Sequence, residues 1–155
     1  MQVFVPFPDL DQIAEVLDPK RLNKQMVECD QILRVLTEHT IDREVDKVVP
    51  RQPRAWRNHP AVKAWRGHEH ALVLYTLALE REWIKRGGKR HGSVTNVMRL
   101  TETIAEDSRV ENPGWWGRED VHSSHRSRLL AKDPEWYGQF GWTDDPTKEY
   151  VWPTP

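Results

Sequence analysis

Apolar residues fall on a helical period through much of the chain. Between Asp18 and Leu36, the residues Leu22, Met26, Cys29, Leu33 and Leu36 are spaced by four, three, four and three. That spacing predicts one continuous stripe on an α-helix. Asp18 is placed to cap it and Pro19 fits its first position, where a missing N–H costs nothing. Upstream, Val3, Val5 and Phe7 alternate through MQVFVPFP, where Pro6 and Pro8 forbid helix, so the first eight residues are predicted to be extended. Asp9 caps a short helix reaching about Leu17, with Gln12 at the capping-box position. Residues 39–55 mix charge with Pro50 and Pro53 and read as a connection with one helical turn at IDREVDKVV.

From Ala61 to Arg86 there is no proline, and Gly87-Gly88 stops the run. Trp65, His68, Leu72, Tyr75, Leu79 and Trp83 mark one face, widened by Val73, Leu74 and Leu77. The pattern predicts one long central helix, with Gly67 inside it costing about 1 kcal/mol relative to Ala. Ser93 is placed to cap a further helix through Val97, Leu100 and Ile104. Residues 111–122 read as a loop and 123–132 as a short helix. The remainder, rich in aromatic, glycine and proline residues, reads as an irregular wrapping arm. The expected fold is therefore all-α, a compact single domain over residues 1–155.

Composition narrows the class. The chain has 155 residues, 37% hydrophobic and 30% charged, within the range of one globular domain. No apolar run reaches the ~18 residues of a membrane span, and the N-terminus lacks the basic and apolar regions of a secretory signal. A lone cysteine on an apolar stripe argues for a cytoplasmic home without disulfides. The net charge of −1 opposes bulk attraction to nucleic acid. The charges are segregated, however. Arg51, Arg54, Arg57, Lys63 and Arg66 lie in an acid-free stretch, four cations lie in 85–90, and Arg126, Arg128 and Lys132 follow His125.

Glu28 is the residue that fits its helix least. It lies on the flank of the apolar stripe, beside Ile32, and shares that flank with Arg21, Lys24 and Gln25. A carboxylate held among cations and an amide serves either structure or chemistry. The segment His122–Arg128 gathers imidazoles, hydroxyls and guanidiniums, the groups that bond phosphate oxygens. Trp136-Tyr137-Gly138-Gln139-Phe140-Gly141-Trp142 follows. Phosphate contacts beside aromatic rings suit a nucleic acid with a displaced base; a capped helix followed by an aromatic staple is the equal alternative. No phosphate loop is present. The pair His68 and His70 point to different helix faces, and neither HExxH nor paired cysteines support a metal. Ser123, Ser124 and His125 lack a nucleophile elbow.

Several of these stretches carry a resemblance. WYGQFG resembles the WYxxYG element near the end of the phage pyrimidine-dimer DNA glycosylase family. Glu28 follows Leu22 by six residues, as that family's catalytic glutamate follows a leucine in its N-terminal helix. LALEREWIKRG is similar to its long helix, which also closes on Lys-Arg-Gly. KRLNKQMVE, WRNHPAVKAWRG, SHRSRLLAKDPEWYGQFGW and YVWP look like the cellular branch of the family. The likeness runs from Met1 to Trp152.

The resemblance implies an all-α fold, no metal, no cofactor, and a monomer acting on double-stranded DNA that carries a damaged or modified pyrimidine. It implies base removal and strand cleavage by the N-terminal α-amine through a Schiff base, with a glutamate moving protons. Carried onto this chain, the catalytic groups are Met1 and Glu28. The DNA contacts are Gln2, Arg21, Lys24, Gln25, Arg57, His59, Arg66, His125, Arg126, Arg128, Trp136 and Tyr137. An α-amine ordinarily titrates at about 7.7–8.0, far below lysine, so the class is nucleophilic near neutrality. The chain departs from the phage pattern at three positions. Gln2 is large enough that Met1 is expected to remain, and Val27 and Gln31 stand where the phage enzyme has arginines flanking its glutamate. These departures bear on lesion preference. A helical DNA-binding protein that kept the scaffold without the chemistry is the second reading.

Overall fold

A computed structural model describes residues 1–153; the last two positions of the expected domain lie outside the described residues. Asp9 accepts the Gln12 N–H at 2.8 Å and starts α1 (Leu10–Val16). Asp18 accepts the Arg21 N–H and starts α2 (Pro19–Thr37), with Pro19 in its first turn. Four of the five α2 stripe residues, Leu22, Met26, Cys29 and Leu33, expose no surface, as does Ile32, while Leu36 near the end of the helix is half-buried. Burial pushes the Cys29 thiol up to about 12, so it packs as a small apolar group. The helix ends at Glu38, whose φ of 55° turns the chain.

The next segment departs from the expected connection. It is an antiparallel hairpin, β1 (His39–Asp42) paired with β2 (Lys47–Pro50), with Thr40 opposite Val49 and Ile41 opposite Val48. These β-branched residues favour a pleated pair, and Arg34 of α2 ties Thr40 Oγ1 to the core at 2.7 Å. The fold is therefore mostly helical with a small two-stranded sheet, rather than all-α.

The long helix expected over 61–86 is divided. A short α3 (Pro60–Lys63) precedes α4 (Glu69–Lys85). The break is at Gly67, whose φ is +83°, a conformation open to glycine at little cost. The break is also bonded from outside: Arg109 N–H donates to Gly67 O at 2.8 Å, and Glu69 accepts from Gly67 N–H and Ser108 Oγ. Next, α5 (Gly92–Leu100) is capped by His91 rather than Ser93 and runs into a 3-10 turn at Thr101–Thr103. The sixth helix, α6 (Glu119–Lys132), begins four residues before the expected Ser123, and α7 (Pro134–Gly138) follows it. Helices α2, α4 and α5 pack on one another around a single hydrophobic cluster that also takes in Val3, Phe4 and Val5. Among the described residues, no helix is long and apolar enough to cross a membrane.

The N-terminal arm has no regular secondary structure and bends at residues 6–8, with residues 3–6 buried, and a buried backbone must find partners. Side chains supply them. Gln25 accepts the Phe4 N–H at 2.7 Å and donates to Gln2 O at 3.0 Å. Tyr75 of α4 donates to Phe4 O at 2.6 Å. His125 Nδ1 accepts the Val5 N–H, and His122 Nδ1 meets Val5 O, each at 2.7 Å. Arg126 donates to Pro6 O at 2.7 Å, and Trp116 Nε1 to Pro8 O at 2.8 Å. Three helices thus fix where the chain begins.

Candidate active site

The arm delivers Met1 to the C-terminal half of α2. Gln2 N–H donates to Glu28 Oε2 at 3.0 Å, so the peptide unit next to the terminal amine is bonded to the carboxylate. Gln25 Nε2 reaches the same oxygen at 3.4 Å. Glu28 is 7% exposed, and its other oxygen lies 3.9 Å from Lys24 Nζ. A cleft of about 520 Å³ opens over this point, lined by Met1 and Glu28, by Arg34, by His39 of β1, and by Arg51, Arg54 and Trp56 after β2. The hairpin and the chain leaving it therefore form one wall, and α2 with Met1 forms the floor. The volume falls within the ~300–1,000 Å³ usual for small-ligand sites.

His59 senses both ends of this arrangement. Partial burial and the positive Met1 amine hold its pKa below the ordinary histidine value, against the opposing pull of Glu28. Its Nδ1 accepts the Ala61 N–H at 3.0 Å, so the neutral ring carries its proton on Nε2. Burial pushes the Tyr150 phenol up to about 12, while the positive charges of Arg128 and Arg21 draw it down. Both cations are otherwise engaged: Arg21 with Asp18 at 3.2 Å, and Arg128 with Lys148 O at 3.3 Å.

The expected DNA contacts divide by what their polar atoms touch. Lys24, Arg57 and Arg66 are exposed. Arg57 pairs with Glu38, and Arg66 donates to Arg57 O at 2.6 Å; both line a shallow groove that shares Val35 with the main cleft. Gln2 and Gln25 are in the site and hold the arm. His125, Arg126, Trp136 and Tyr137 are turned to protein partners and present a framework. His125 is 4% exposed, and burial, with the charge of His122, drives its pKa down to about 3. Besides Pro6 O, Arg126 bonds Asp144 at 2.9 Å and Glu119. Trp136 Nε1 donates to Val16 O at 2.8 Å, and the fully buried Tyr137 hydroxyl bonds Asp18. Within the segment 122–128, His122, His125 and Arg126 bond the backbone of the arm, Ser123 bonds Asp144, and Arg128 bonds Lys148 O.

Sequence reasoning passed over His39, Arg34 and Trp56. For Trp56 a signal existed: an indole inside the acid-free, proline-broken segment RQPRAWRNHP, with no apolar period to bury it.

Comparison with known proteins bears on the same residues. A family model described as pyrimidine dimer DNA glycosylase matches residues 1–96. Every residue lining the main cleft falls within that span. Searches of curated proteins and of solved structures returned no match. The chain belongs to the pyrimidine dimer DNA glycosylase family.

Proposed function

We propose that the protein removes damaged or modified pyrimidines from double-stranded DNA and cleaves the strand at the resulting abasic sugar, with the Met1 amine as nucleophile. The observation that carries this reading is the 3.0 Å hydrogen bond from Gln2 N–H to Glu28. It tethers the terminal amine beside a buried carboxylate at the floor of a cleft edged by Arg51 and Arg54.

The amine lone pair attacks C1′ of the sugar. The bond from C1′ to the pyrimidine nitrogen breaks, and its electron pair leaves with the base, which takes a proton. Opening of the sugar ring gives an iminium between the Met1 nitrogen and C1′. Loss of a proton from C2′ expels the 3′ phosphate oxygen, and water then hydrolyses the imine and frees the amine. Glu28 stabilises the cationic intermediate and carries protons between these steps. Lys24, Arg51, Arg54, Arg57 and Arg66 meet phosphates, His59 offers its Nε2–H to the sugar-phosphate edge, and Arg21 and Arg128 lie further out. The sequence of steps draws on no metal or cofactor.

Borohydride trapping tests the reading. The protein incubated with an aldehydic abasic duplex and sodium borohydride is expected to form a covalent adduct, and a version with a peptide extension before Met1 is expected to form none. An unextended protein that gives no adduct, or an extended one that still does, overturns it.

A further inference from the structure

A second depression, of about 620 Å³, lies at the break between α3 and α4. Lys63, Arg66 and His68 line one side of it, and Asp107, Arg109 and Arg118 the other. Four hydrogen bonds hold the two sides together. Arg109 N–H donates to Gly67 O at 2.8 Å, Ser108 Oγ to Glu69, His68 Nδ1 to Glu111 O at 2.9 Å, and Trp115 Nε1 to Ala64 O at 2.8 Å. None of these bonds uses the side chain of Lys63 or Arg109. Both cations are exposed, and among the described residues neither side chain meets a hydrogen-bonding or ion-pair partner. Arg118 pairs with Asp120 at 2.7 Å, and Asp107 is the one acid among the described lining residues. Gly67 and Gly114 also line the depression, and a Cβ at either would meet no atom within 4 Å, so the space beside them is open. Elsewhere the fold pairs its lining cations, as Arg34 with Asp30 in the main cleft. Here it fixes two unpaired cations on facing walls.

The depression is continuous with the candidate active site. Arg66 lines both it and the groove that holds Arg57, and that groove shares Val35 with the main cleft. A row of cations therefore leads from Arg51 and Arg54, past Arg57 and Arg66, to Lys63 and Arg109. We infer that the depression is a second phosphate site, in which Lys63 and Arg109 hold the duplex backbone on one flank of the lesion. The inference rests on the function proposed above and deepens it, because a row that leaves the cleft in one direction makes the DNA footprint longer on one flank than on the other. The Lys63 ammonium meets a phosphate as a point charge, and the Arg109 fork bonds two of its oxygens. A strand of phosphates supplies the evenly spaced negative charge that such a row matches.

The test measures binding by fluorescence anisotropy for full-length wild type, Lys63→Ala, Arg109→Ala, the double variant and Arg90→Ala. Arg90 is an exposed cation beyond the opposite end of α4, about 25 Å from the depression by helix rise. The probes are a duplex with a tetrahydrofuran abasic analogue between two long flanks, and two further duplexes with one or the other flank cut short. Each single variant is expected to lower the slope of log affinity against log salt by about one, and the double variant by about two. Arg90→Ala should leave the slope unchanged. Wild type should lose affinity on the order of tenfold when one particular flank is cut and little when the other is, whereas the double variant should bind both shortened duplexes alike. Melting temperatures equal to that of wild type establish that the variants fold. Unchanged slopes for both single variants overturn the inference and reassign the depression to an acidic protein. An equal fall for Arg90→Ala, or equal sensitivity of wild type to the two flanks, also overturns it. Wild-type trapping on aldehydic abasic DNA then leaves the amine chemistry standing. The expected slopes without any trapping leave the phosphate site standing and overturn the chemistry.

Discussion

At the scale of residues, the account turns on Glu28 and Gln25, three positions apart on α2. Glu28 looked out of place in the sequence because a carboxylate sat on the flank of an apolar stripe. That anomaly was legible; its partner was not, because the group it meets belongs to Gln2, 26 residues away. Replacing Glu28 with Gln keeps an acceptor for the Gln2 N–H while removing the carboxyl group to which the proposed mechanism assigns proton transfer. The trapped adduct or elimination product should form about 10²-fold more slowly or worse, with binding to an abasic analogue retained, as read by single-turnover gel kinetics beside anisotropy. Gln25 presents the contrasting case. Its amide satisfies the Phe4 N–H and Gln2 O together. Gln25→Leu leaves both without partners and should destabilise the fold by about 2–5 kcal/mol, measured as a lower urea midpoint.

At the scale of elements, helix α6 and the arm it holds show what residue types alone did not reveal about the segment 122–128. His122, His125, Arg126 and the serines between them form a helix with scant apolar patterning, which by sequence reads as a surface segment seeking an outside ligand. His122, His125 and Arg126 bond the backbone of residues 5 and 6, while Ser123 bonds Asp144 and Ser124 bonds Val121 O; a backbone's need for hydrogen bonds leaves no trace in residue types. The capped starts of α1 and α2 were legible because Asp9, Asp18 and Pro19 act within three residues of themselves. The hairpin was missed because its β-branched pairs, Thr40-Ile41 and Val48-Val49, are too short to display a period. The break in the long helix was missed because its outside bonds come from far along the chain: Arg109 N–H to Gly67 O and Ser108 Oγ to Glu69.

Two predictions belong at this scale. His125 stays neutral in the fold, down to a pKa of about 3, whereas in the unfolded chain it protonates near the ordinary value of about 6.5. Its contribution to stability is thus intact above pH 6.5. It is lost as pH falls below that value, at up to about 1.4 kcal/mol per pH unit, until the folded pKa is reached. His122, lowered by burial, adds in the same direction. Thermal melts from pH 7 to pH 4 should fall more steeply for wild type than for His125→Gln; parallel slopes would refute the assignment. In the second, Gly67→Ala introduces a Cβ with nothing within 4 Å but a φ of +83°. It should cost about 1 kcal/mol by strain alone. A loss several times larger in chemical denaturation would mean that the bonded break is more crowded than its geometry indicates.

At the scale of the whole molecule, a near-neutral chain presents a local basic edge. Arg51 and Arg54 stand on the cleft wall, and Arg57, paired with Glu38, and Arg66 line the adjoining groove. Not every cation run joins it: Arg86 bonds the carbonyls of Ala14, Glu15 and Leu17 and closes the end of α1. Sequence displayed the runs without showing which of them converge, since convergence depends on the hairpin that brings residues 51–56 back over α2. Duplex binding should weaken with salt, and Arg51→Ala and Arg54→Ala should each lower the slope of log affinity against log salt by about one. Arg86→Ala should leave the slope unchanged and lower the melting temperature. The central claim is that the chain's own first nitrogen performs the chemistry. Its most direct test is to trap the protein on an abasic duplex with borohydride, digest both components and locate the sugar remnant by tandem mass spectrometry. The account predicts the added mass on the α-nitrogen of the peptide beginning at Met1; a remnant on a lysine side chain, or none on any peptide, would contradict it.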